Sequence, residues 1–211
     1  MFKNWNFWFS VITAIVAVIA LFQTNRQIRL GNKQHLFDMR IEYYLIAKGM
    51  MQLFDKNSNI LDKDKKNDML AIEFVFAQMT NNTYLEKISS VISHPLEEPY
   101  HKDFLIQLEA IKEVAEKIRF SFSGKAADAL AQFVLDYQSF LFSLYQYQIL
   151  FCDMQKASQQ FKWSYEKAKE RMSEPEQRKR LYKAFAELKN AYDVLENREA
   201  VKAIEKQIKL R

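Results

Sequence analysis

Few residues in this chain are of a type and spacing that could do chemistry. A loop that cradles phosphate needs closely spaced glycines whose amides reach the anion, and the three glycines stand far apart at 31, 49 and 124. The serine-nucleophile pattern G-x-S-x-G and the zinc pattern H-E-x-x-H are both absent. One Cys excludes an intramolecular disulfide and a multi-Cys zinc site. The three His residues are scattered, so neither a metal nor an organic cofactor is expected. Cys152 falls in the most apolar stretch and reads better as a small buried hydrophobe than as a nucleophile. What remains is Arg29, six residues before His35.

The elements that would position these residues are helical. Apolar residues make up 49% of the 211, while Gly and Pro number 3 each. Sheets consume turn residues, so the composition predicts an all-α chain. Trp5 to Thr24 contains no charge, and its hydroxyls at Ser10 and Thr13 can bond back one turn. That run is about the 20 residues a membrane-spanning helix needs. Trp5, Trp8 and Phe9 at one end and Phe22 at the other are the expected interfacial anchors. Lys3 precedes the span, whereas Arg26, Arg29, Lys33 and Arg40 follow it with no acid before Asp38. The positive-inside rule then predicts an inner-membrane protein with its N-terminus out and the larger C-terminal part in the cytoplasm. Cleavage after Ala20, giving a secreted protein, is the competing reading.

Beyond the span, residues 26–55 read as a juxtamembrane helix, with Gly31 a weak point. Residues 56–172 read as a bundle core and 173–211 as a basic C-terminal helical segment, for five or six helices in all. Asp55 to Lys66 is expected to be a solvated loop, and Thr83 with Glu86 a capping box. Leu105, Leu108, Ile111, Ala115 and Ile118 form one helical stripe. Ala126 to about Met172 reads as one uninterrupted helix, so apolar that Tyr137, Tyr145 and Tyr147 need hydrogen-bond partners at the core edge. Ser173-Glu174-Pro175-Glu176 starts the last helix. Its Leu181, Phe185, Leu188, Tyr192 and Leu195 form a coiled-coil-like seam, the expected partner-binding surface. Val201, Ile204 and Ile208 form a new stripe beyond it. Residues 1–155 hold 16 bases and 17 acids, but residues 156–211 hold 15 and 9, so the +5 charge sits in the last quarter. Such a segment could meet anionic lipid or, less readily, nucleic acid.

Two resemblances bear on function. The Arg29-x5-His35 spacing loosely resembles the R-x4–6-H signature of all-helical HEPN nucleases, which implies both side chains acting on a scissile phosphate. Leu30 stands where that family usually has a polar residue. With 9 Arg and three His, chance alone gives about 0.4 such spacings, so the pair is an alternative catalytic site only. The run Asn32-Lys33-Gln34-His35-Leu36-Phe37-Asp38-Met39-Arg40, continuing to Tyr44, fits N-K-Q-x-L-F-x-x-R-x-x-x-Y. Directly after one N-terminal span, it resembles a loosely defined set of small bacterial membrane-anchored helical proteins. Most of these are uncharacterised, and some are encoded near phage-defence or mobile-element genes. The resemblance implies an anchored helical architecture and no catalytic residue. The leading expectation is a non-enzymatic scaffold or sensor that binds membrane lipid through its N-terminal helix and a protein partner, or a second copy, at the cytoplasmic face. The alternative is an abortive-infection effector acting by membrane disruption or by RNA cleavage.

Overall fold

A computed structural model of the chain describes residues 3–62, 71–196 and 198–208. It is all-α, with no strand among the described residues. The first helix, α1, runs from Lys3 to Asp62 without a break, about 90 Å at 1.5 Å per residue. Then come α2 (Ile72–Met79), a 3-10 segment (Glu86–Ile92), α3 (Tyr100–Ser121), α4 (Lys125–Phe161), α5 (Tyr165–Arg171), α6 (Glu174–Glu196) and α7 (Arg198–Ile208).

Helix α4 is the centre. Thirteen of its residues are buried, from Ala127 to Met154, including Phe133, Tyr137, Phe140 and Tyr145. Helices α3 and α6 flank it, and both run antiparallel to it. Phe104 meets Tyr145 at 4.7 Å on one side, and Phe185 meets Phe140 at 5.7 Å on the other. The apolar circumference of α4 is thus covered by protein rather than lipid. Its three tyrosines find the partners their burial demands. Tyr137 donates to the carbonyl of Met79, and Tyr147 to Glu174. Tyr145 accepts from the amide of Leu96 at 3.0 Å and shares a 2.7 Å hydrogen bond with His101 Nδ1.

Helix α1 enters beside α4 and parallel to it. Phe54 packs on Phe133, Phe185 and Tyr192, with ring centroids 5.0–6.4 Å apart. The boundaries expected at 25/26 and 55/56 therefore fall inside one helix. Gly31 does not interrupt it, because a glycine costs a helix only about 1 kcal/mol. The loop expected from Asp55 is helical to Asp62, and residues 63–70 of that stretch lie outside the described residues. Asn57 is buried there and donates to the carbonyls of Leu53 and Gln78.

Other expectations need correction. No helix starts at Tyr84. Asn82 Oδ1 accepts from the amides of Tyr84 and Leu85, and a 3-10 segment follows. Leu105 is 41% exposed, and Phe104 takes its place in the α3 stripe. The helix expected from Ala126 to Met172 ends at Phe161. Lys162, with φ +51°, turns the chain before Ser164 caps α5. The last long helix does start at Glu174, as expected, but Ser173 has φ +53° and Glu174 turns inward instead of facing solvent.

The largest correction concerns the seam. Leu181, Phe185, Leu188 and Leu195 are all at most 2% exposed, and Tyr192 packs against the same core. Helix α4 already fills the seam, so no external partner can use it. Truncating Phe185 to Ala should cost about 3–5 kcal/mol of stability, as buried aromatics do. Val194→Ala, at a 58% exposed site on the same helix, should stay within about 0.5 kcal/mol. Denaturant midpoints in detergent compare the two, and equal midpoints would return the seam to the surface.

Candidate functional site

The described residues divide into a projecting rod, a collar where the rod enters the bundle, and a far tip. Residues 5–35 form the rod, exposed at every position but Val11. Trp5, Trp8, Phe9 and Phe22 are 60–73% exposed. Ser10 and Thr13 donate to the carbonyls of Asn6 and Phe9, which hides their hydroxyls in the helix's own backbone. Among the described residues α1 is the one helix long and apolar enough to cross a membrane. Arg26, Arg29 and Lys33 follow at steps of three and four on one exposed face.

Arg29 and His35 are both exposed on the rod. Six residues place them about 9 Å apart along the axis and about a third of a turn apart around it. The bundle brings no third chemical group to them. Among the described residues no three His, Cys, Asp or Glu side chains gather as a metal site. Cys152 is half-buried beside a cleft of about 550 Å³, and burial pushes its thiol pKa up, away from nucleophilic use.

Arg40 turns to backbone carbonyls rather than to Asp38 or Glu42. Its Nε donates to the carbonyl of Ser121 and its Nη1 to that of Gln207, both at 2.7 Å. The guanidinium also lies 5.7 Å from the Phe122 ring centroid. Ser121 ends α3, and Gln207 lies in the last turn of α7, where carbonyls lack helical partners and the dipole favours a cation. One planar fork thus joins two helix ends to α1. Gln207 closes the collar by bonding the backbone of Ser123 through both ends of its amide, at 2.9 Å each. One turn up α1, Tyr44 donates to Glu205 at 2.6 Å, and Lys48 approaches the same carboxylate at 3.6 Å. Ile204 is buried, with Val201 and Ile208 half-buried, so the stripe expected on α7 faces the core.

The tip lies at the other end of α4. Phe161 and Trp163 stack at 5.0 Å, and Lys167 sits 5.7 Å from the Trp163 ring. A cleft of about 480 Å³ opens beside them, walled by Phe151, Met154, Trp163 and Tyr165 and edged by Gln155 and Gln159. Sequence reading missed this feature because it ran the helix straight through. The available signal was the alternation Phe161, Trp163, Tyr165, a two-residue step that no helix places on one face. Nearby, Glu174 is buried against Tyr147 and lies 3.5 Å from Arg178.

Comparison with protein-family models, with curated proteins and with solved structures returned no match.

Two measurements test this description. Arg40→Ala should lose about 2–3 kcal/mol from two charge-assisted hydrogen bonds, and Arg40→Lys should restore only part. Amide exchange should quicken in α7 while the α4 centre stays protected; equal quickening in both would show that no collar exists. Separately, burial and the neighbouring Asp55 push the Tyr192 hydroxyl up from the usual 10.0 to about 12. The folded state then holds that proton more tightly than the unfolded state. Its contribution is complete below pH 10.0 and fades as pH climbs towards about 12. Tyr192→Phe should flatten the fall in denaturant midpoint across that window, and an unchanged slope would contradict the assignment.

Proposed function

We propose that this protein is a membrane-anchored scaffold without enzymatic activity, which holds a helical bundle at the cytoplasmic face and presents its far end to a partner. The observation that carries this reading is the continuity of α1. The same helix supplies an exposed apolar rod and a buried strut of the bundle, and Arg40 locks the two together. A leader destined for cleavage would not need to be the outer half of a core helix. The bases Arg26, Arg29 and Lys33 on the bundle side of the apolar run support a cytoplasmic bundle. With the α6 seam occupied from within, recognition falls to surfaces the fold leaves open.

After gentle lysis the intact polypeptide should sediment with membranes and resist alkaline carbonate extraction. Protease added to intact spheroplasts should spare the bundle and degrade it only after permeabilisation. Recovery of the full chain in the soluble fraction would overturn the anchor, and digestion in intact spheroplasts would overturn the orientation. A mature N-terminus just beyond Ala20 would replace both with the secreted reading.

A further inference from the structure

The tip of the bundle, the far end that the anchored-scaffold reading presents to a partner, carries charge and exposed aromatic surface. From Lys156 to Arg171 there are five bases and two acids. One of those acids, Glu166, lies 3.5 Å from Lys169, and that pairing leaves the surplus of three bases unchanged. The outward field is therefore positive. Phe161 is 54% and Tyr165 39% exposed; Lys169 lies 5.4 Å from the Tyr165 ring centroid, as Lys167 lies 5.7 Å from that of Trp163, so the rings and the bases share one surface.

We propose that this tip binds single-stranded nucleic acid, with a base in the cleft against Trp163 and Tyr165 and the phosphodiester backbone on Lys162, Lys167 and Arg171. Every base has an aromatic face, so ring walls accept it without regard to sequence. Gln155 and Gln159 carry amides that both donate and accept, which suits the polar edges of different bases without selecting one. A duplex hides its base faces, whereas a single strand can splay one into a cleft. Lipid does not account for the same features. The tip lies about 55 Å along α4 from the collar, and about five times the Debye length at ordinary salt separates the two. A headgroup surface next to the rod exerts no pull there.

The test uses the full chain in nanodiscs of neutral lipid, with a fluorescein-labelled oligouridylate of about 20 nucleotides read by anisotropy. Binding in solution does not depend on which way the anchor inserts in a cell, so failure here and failure of the scaffold reading are separable. Micromolar binding is expected, weakening roughly 20-fold between about 50 and about 200 mM salt if three phosphates are neutralised. Trp163→Ala should weaken binding about tenfold without changing the salt slope, and Trp163→Phe should retain it. Lys167→Glu with Arg171→Glu should abolish binding. Tyr165→Ala, at an exposed ring, guards against misfolding of the tryptophan variant, and circular dichroism checks each protein. Wild-type affinity in both alanine variants would overturn the proposal, as would equal affinity for a duplex or for heparin. Preferential capture of anionic phosphatidylglycerol vesicles, lost in the double charge reversal, would replace it with a second membrane as the partner.

Discussion

Sixty residues of unbroken backbone hydrogen bonding must serve two surroundings in one helix. From Phe7 to Phe22, α1 shows apolar side chains outward on all sides, and an exposed polar and basic stretch follows to His35; from Tyr43 onward it buries one face among α2, α3, α4 and α7. A helix changes environment without changing shape because its polar backbone is satisfied internally throughout. The side chains alone must mark the transition. Arg40 does so by leaving solvent, lying on Phe122 and using its fork on two helix ends that had carbonyls to spare. The arrangement couples the rod to the bundle rigidly. A flexible linker would have let the bundle turn freely beneath the anchor.

The bundle itself is organised by α4. An apolar helix of 37 residues in water must be covered, and its length exceeds that of either flanking helix, α3 or α6. Helix α3 covers one flank, α6 the other, and α1 with α7 the end nearest the rod. Each tyrosine on α4 reaches a different neighbour: Met79 in α2, Leu96 before α3 and Glu174 in α6. These bonds set the register of three elements against one axis, since each hydroxyl buried without its partner would cost free energy. The short elements α2 and the 3-10 segment survive on this burial, being too short to persist alone.

Where cover runs out, the surface changes character. Beyond Met154, α4 outlasts its neighbours, and the chain folds back through Lys162 into the short α5. This end gathers aromatic rings and a surplus of bases. The opposite end gathers the collar and the rod. The apolar rod and the charged, ring-bearing tip thus stand at opposite ends of α4.

Composition and periodicity alone determined the helical class, the apolar span with its basic flank, the buried character of α4 and the hydrogen-bonding demand of its tyrosines. Each is a property of one segment and its solvent preference, readable without knowing its neighbours. The seam of α6 was equally legible as an apolar stripe, but a stripe does not say whether its cover comes from the same chain. Arg40 read as a flank charge because the two carbonyls it serves lie 81 and 167 residues away. The tip cleft joins α4 to residues beyond a left-handed turn that periodicity ran through. Tertiary structure alone decided these last three, because each depends on which helix ends and faces meet in space, and helical spacing reports only the direction of a side chain around its own axis.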